Sequence, residues 1–96
     1  MDYSLANELK NAGFPQGGRG RWTVDPNRIV VRSEDRAYVP TLEELIEACG
    51  DDFHGIRRLD GGTWRSTRFS ERGVSIQNGK TPTEAVARLW LALNKK

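Results

Sequence analysis

Thr81-Pro82-Thr83-Glu84-Ala85-Val86-Ala87-Arg88-Leu89-Trp90-Leu91-Ala92-Leu93 is the stretch that decides the fold. Its first four residues form a capping box. The Thr81 hydroxyl is placed to accept from the Glu84 amide, and the Glu84 carboxylate to reach back to the amide of the cap itself. Pro82 falls at the first helical position, where a missing N–H costs nothing and a fixed φ is already helical. Val86, Leu89, Trp90 and Leu93 then recur at i, i+3, i+4 and i+7, Ala85 and Ala92 widen that stripe, and Asn94-Lys95-Lys96 sets cations against the negative end of the helix dipole. A stripe of this width needs an apolar layer to lie on. Trp90 is expected at its centre, where Trp→Ala would cost about 3–5 kcal/mol.

Working upstream, Thr41-Leu42-Glu43-Glu44 repeats the same box. Leu42, Leu45, Ile46 and Cys49 form a second apolar stripe, Gly50 ends the helix, and the opposite face is acidic. Between the two helices the period changes from 3.6 to 2. Gly55 to Leu59 and Thr63 to Phe69 flank Asp60-Gly61-Gly62 and read as a β-hairpin, while Val74 and Ile76 alternate with Ser75 and Gln77 in a third strand before Asn78-Gly79 turns the chain into the last helix. The expected fold is therefore α+β, with the order helix, three strands, helix, and both helices on one face of an antiparallel sheet.

Ahead of this, Leu5, Leu9 and Ala12 share a helix face that Asp2 or Ser4 can cap and that Gly13-Phe14-Pro15 stops. Residues 13–28 are expected to be a flexible linker or loop, with Gly17, Gly18 and Gly20 concentrated in it. Trp22 to Val24 and Ile29-Val30-Val31, separated by Asp25-Pro26-Asn27, read as one further short hairpin. The expected organisation is one domain over residues 1–96 with its core in residues 38–94.

Composition narrows the class of protein. The chain has 96 residues, 36% hydrophobic and 29% charged, enough apolar material for one modest core. Its single cysteine, Cys49, excludes an intramolecular disulfide, so stability must come from packing. Met1 to Ala12 carries Asp2 and Glu8 and no continuous apolar run, and no long apolar run occurs anywhere, so neither a signal peptide nor a membrane span is expected. The net charge is only +2, but it is sorted: residues 41–52 carry −5 and residues 53–80 carry +4. An acidic helix beside a basic sheet follows.

The blocks Tyr38-Val-Pro-Thr-Leu-Glu-Glu-Leu-Ile-Glu-Ala-Cys-Gly50 and Gly79-Lys-Thr-Pro-Thr-Glu-Ala-Val-Ala-Arg-Leu-Trp-Leu-Ala-Leu93 resemble those of a family of small phage and prophage proteins, over roughly residues 38–94. The resemblance implies an accessory protein working in the cytoplasm of a bacterial host and brings no activity with it. The order helix, three strands, helix is also that of double-stranded-RNA-binding domains. Their last helix opens on a basic cluster that grips phosphates, whereas Lys80-Thr-Pro-Thr-Glu84-Ala-Val-Ala-Arg88 offers one lysine before the helix and a glutamate in its first turn. That departure keeps the topology and speaks against the activity.

Arg57, Arg58, Arg65, Arg68 and Arg72 are the candidate contacts to a nucleic acid or another anion, with Trp64 and Phe69 as stacking platforms. Arginines alternating on an open sheet face are also ordinary solvation. Glu43, Glu44 and Glu47, with Asp51 and Asp52 nearby, are the candidate contact to a protein partner, or else pair with arginines of their own sheet. Gly17-Gly18-Arg19-Gly20-Arg21 has the look of a single RGG element but lacks the order of a phosphate loop, and reads as linker. Asp51, Asp52 and His54 do not make up a metal-ligand set, Cys49 sits on an apolar stripe, and Ser66, Ser70 and Ser75 have no activating neighbour in sequence. No catalytic residue, metal site or cofactor is expected. The leading expectation is a non-enzymatic module that binds a protein, with nucleic-acid binding through the arginines as the alternative and self-association through an open strand edge left undecided.

Overall fold

The computed structural model describes residues 2–27, 29, 32, 35–71 and 73–94. The chain forms two compact units, residues 1–41 and 42–96.

The first unit is a helix on a two-stranded sheet. Helix α1, Tyr3–Asn11, is capped by Asp2, whose carboxylate accepts from the Leu5 amide at 3.0 Å, so of the two residues able to cap it the aspartate does so. At its other end the Gly13 amide donates to Lys10 O and the Phe14 amide to Leu9 O, a Schellman closure that requires the positive φ of 95° at Gly13. Leu5, Ala6 and Leu9 are buried, with Ala6 against Ala37 and Val39.

Strands β1, Arg21–Val24, and β2, Arg36–Val39, pair antiparallel with Trp22 opposite Tyr38 and Thr23 opposite Ala37. This differs from the expected hairpin. Trp22 to Val24 is a strand, but its partner is residues 36–39 rather than Ile29-Val30-Val31, of which Val30 and Val31 lie outside the described residues. The β-branched run has the propensity, yet the Arg36–Val39 segment offers Ala37 and Val39 to α1 and Tyr38 to Trp22, whose rings meet edge to face at 5.6 Å. Arg36 also stands over the Trp22 ring, 5.2 Å from its centre. The expected core stretch from Tyr38 thus divides at residue 41, its first residues completing the N-terminal sheet.

The glycine-bearing segment between α1 and β1 is fastened to β2. Gln16 donates to Phe14 O at 3.0 Å and accepts from the Tyr38 amide at 2.9 Å, and the Gly20 amide donates to the Tyr38 hydroxyl. A Cβ at Gly20 would stand 1.9 Å from Val39 O, so only glycine fits where the segment crosses β2.

The second unit has the order expected of residues 41–94: α2 (Leu42–Cys49), β3 (Phe53–Arg58), β4 (Trp64–Ser70), β5 (Gly73–Gly79) and α3 (Pro82–Asn94). The three strands form one antiparallel sheet in the order β3-β4-β5. The β3–β4 connection closes with the Leu59 amide on Thr63 O at 2.7 Å and φ values of 86° and 81° at Gly61 and Gly62. Helix α3 lies across β4 and β5 and α2 packs along α3 on the same side, where Cys49 feels the charge of Arg68. Leu45, Val86, Leu89 and Trp90 are buried between them.

Small residues let α3 come down onto the sheet. Ser66 of the central strand donates its hydroxyl to Ala85 O at 2.7 Å, and the Gly79 Cα faces Ala85 so closely that a Cβ there would be 2.6 Å from Ala85 N. Strand β5 consequently runs through Asn78-Gly79 to the helix instead of turning there. At the start of α3, the Thr81 hydroxyl accepts from the Glu84 amide at 3.1 Å as expected, but the Glu84 carboxylate takes the Lys80 amide at 3.3 Å rather than that of Thr81. Its other oxygen holds the Arg88 guanidinium at 3.0 Å, an i,i+4 pair that pulls the carboxylate along the helix.

Candidate interaction surface

The inward direction of Ser66 fixes the two faces of the sheet. Side chains alternate along a strand, so Trp64, Ser66, Arg68 and Ser70 of β4 point to the helices, and Arg65, Thr67 and Phe69 point to the open face. Directly opposite residues share a face. Val74 lies across from Phe69, Ile76 from Thr67 and Asn78 from Arg65 on β5, while Arg57 lies across from Arg65 on β3. A bulge between Phe53 and Gly55 returns His54 to the open face, where its ring meets that of Phe69 at 4.4 Å and 68°.

Among the described residues of the unit, neither α2 nor α3 covers this face. Phe69, Val74 and Ile76 keep 45%, 54% and 48% of their surface exposed, and they are neighbours across two adjacent strands rather than scattered apolar residues. His54 extends the patch across β3. At the hairpin end stand Arg57 and Arg65, directly opposite each other, a like-charged juxtaposition that is unfavourable unless an anionic group joins it. Arg65 reaches Asn78 Oδ1 at 3.4 Å, and among the described residues no carboxylate pairs with either arginine.

The five candidate arginines therefore do not line up as one stripe. Arg57 and Arg65 share the open face. Arg58, across from Trp64, and Arg68, across from Phe53, belong to the helix side, and Arg72 lies outside the described residues. Arg68 is bound to Asp52, Nη2 to Oδ2 at 3.2 Å, so one member of the acidic cluster neutralises a strand of its own sheet. Of the acidic helix residues, Glu43 and Glu47 are exposed one turn apart and Glu44 is half-buried. Trp64, placed as a stacking platform by sequence, lies on the helix side, whereas Phe69 is on the open face.

Burial raises the Cys49 thiol from its ordinary 9.0 to about 11, with Arg68 lowering it by a lesser amount. Such a thiol carries almost no thiolate near neutral pH. An open cleft of about 490 Å³ beside Leu93 is lined by Asp52, Arg68, Ser70 and Glu71; its guanidinium is already paired and the Ser70 hydroxyl donates to Gly73 O at 3.4 Å. His54 is on the other face of the sheet from this cleft. Among the described residues no three His, Cys, Asp or Glu side chains converge, and no helix is long and apolar enough to cross a membrane.

The apolar part of the open face went unread in the sequence, although one signal was present. Arg65, Thr67 and Phe69 fall on one period-2 register of β4 and Val74 and Ile76 on one of β5, and the pairing of Phe69 with Val74 brings the two sets to the same face. Comparisons with protein-family models, with curated proteins and with solved structures find no match to this chain.

Proposed function

We propose that the protein is a non-enzymatic binding module that contacts another protein through the open face of its β3-β4-β5 sheet. The observation that carries this reading is the exposure of Phe69, Val74 and Ile76 side by side on a face that neither helix covers. Burying about half of each side chain against a partner would stabilise a complex by roughly 1 kcal/mol per residue. Arg57 and Arg65 set the other requirement, a carboxylate on the partner opposite the hairpin end of the sheet. The partner element is thus apolar over most of its length and acidic at one end.

An accessory role in the cytoplasm of a bacterial host is part of the same proposal; it rests on the reading of the blocks at residues 38–50 and 79–93 alone, since no family model matches them. The exposed Glu43 and Glu47 of α2 are a lesser candidate contact, because exposed charges alone contribute little to an interface.

The test is site-specific photo-crosslinking in host cells from position 69, with position 60 at the hairpin tip as the control. One protein crosslinked from position 69, absent from position 60 and lost in Arg57→Glu/Arg65→Glu, is the expected result. Mobility shifts with single- and double-stranded RNA and DNA at low salt run alongside. Binding there that falls steeply with salt and disappears with Arg57→Ala/Arg65→Ala, without a crosslinked protein, replaces this reading by the nucleic-acid one.

A further inference from the structure

The two edges of the β3-β4-β5 sheet are not alike. Strand β3 is blunted as natural edge strands are: it carries the bulge between Phe53 and Gly55 and two successive arginines, Arg57 and Arg58. Strand β5 has no such protection. Gly73-Val74-Ser75-Ile76-Gln77-Asn78-Gly79 holds no charged residue and no proline, pairs with β4 without interruption at every position from Gly73 to Gly79, and has no other backbone partner among the described residues. An uninterrupted, uncharged, seven-residue edge is a template for another strand.

The β5 sequence also matches itself. In an antiparallel pairing about a two-fold axis at Ile76, Ile76 faces Ile76 of the second copy, Ser75 faces Gln77, Val74 faces Asn78 and Gly73 faces Gly79. Ser75 and Gln77 meet on the helix side, and Val74, Ile76 and Asn78 on the open side, so hydroxyl meets amide and the isoleucines meet at the axis. From these observations we propose that the chain self-associates by pairing β5 with β5 of a second copy, giving a continuous six-stranded sheet. This stands apart from the reading of the open face, and it would join the Phe69, Val74 and Ile76 patches of both copies into one surface.

Size sets the strength. An edge of seven residues is about 23 Å long, and such a contact falls below the roughly 800 Å² per partner of a standard stable interface. The dimer is accordingly weak and concentration-dependent. In sedimentation equilibrium of the isolated chain from about 5 to 500 μM, the weight-average mass rises from 10.8 kDa toward twice that value, with half-association on the order of tens of micromolar. Ile76→Lys and Ile76→Glu, each at an exposed position, put like charges across the axis and each weakens association at least tenfold, while an equimolar mixture of the two restores it. Circular dichroism of each variant matches the wild type. Phe69→Ser, one strand in, leaves the mass curve unchanged.

A mass that stays at 10.8 kDa to 500 μM overturns the pairing. So does a mixture of Ile76→Lys and Ile76→Glu that remains monomeric, and so does loss of association in Phe69→Ser, which would put the contact on the open face. The absence of any partner from these measurements separates them from the crosslinking test of the binding face.

Discussion

Gly79→Ala tests whether α3 is seated on the sheet as described. A Cβ at this position would lie 2.6 Å from Ala85 N, 2.9 Å from Glu84 C and 3.0 Å from Ala85 Cα. Ordinary contacts between such atoms fall at about 3.5–4.0 Å, so the overlap is on the order of 1 Å. No rotamer change relieves it, because the opposing atoms are backbone held by the Ala85 amide on Thr81 O and the Glu84 amide on the Thr81 hydroxyl. The first turn of α3 must lift, which lengthens the 2.7 Å bond from Ser66 to Ala85 O and opens the contact with β5. Overpacking costs about 1–3 kcal/mol and a loosened hydrogen bond about 1 kcal/mol, for a total of about 2–4 kcal/mol. With a urea dependence of about 1 kcal/mol/M for a unit this small, the midpoint falls by about 2 M or more at unchanged slope. Urea titration by far-UV circular dichroism reads the shift, with Asn78→Ala, the exposed neighbour, expected to change stability by less than about 0.5 kcal/mol. A midpoint for Gly79→Ala within about 0.3 M of the wild type would refute the close approach of α3 to the end of β5.

Further outcomes follow from single residues. Because the Cys49 pKa is raised from 9.0 to about 11, the native state holds its proton more tightly than the unfolded chain, so the stabilisation is complete below about pH 9 and is lost as pH rises toward 11. A thiol reagent at pH 8 should label Cys49 only as urea unfolds the chain, and rapid labelling without urea would contradict its burial. In the N-terminal unit, Tyr38→Phe removes the acceptor of the Gly20 amide at a cost of about 1 kcal/mol, read as roughly fivefold faster amide exchange in residues 21–24. Gly20→Ala, with its Cβ 1.9 Å from Val39 O, should abolish that protection altogether.

The parts legible in sequence are those written in local chemistry. The caps at Asp2 and Thr81, the closures at Gly13 and Gly61-Gly62, and the stripes through Leu45 and Leu89 depend on neighbours within a few residues, and each appears where the pattern puts it. Pairings over longer separations were less legible. Nothing local distinguishes Ile29-Val30-Val31 from Arg36–Val39 as the partner of β1; the choice rests on which segment can face α1 and Trp22 at once. The reach of Glu84 to the Lys80 amide reflects competition from Arg88, one turn on.

By itself the sequence determined the three helices and the helix, three strands, helix order of the chain from Thr41 onward, because hydrophobic period and capping act over one or two turns of chain. Only the tertiary structure decided which face of the sheet stays open. On β4 the side chain turned inward is Ser66 and the one turned outward is Phe69, the reverse of what hydrophobicity alone would choose. Close seating of a helix needs small residues at the contact, and Ser66 and Gly79 of the sheet meet Ala85 of α3 there although Ser66 lies 19 residues from it in sequence. With Ser66 under α3, strand alternation sends Arg65, Phe69, Val74 and Ile76 to the other side, where they form the surface assigned to a partner.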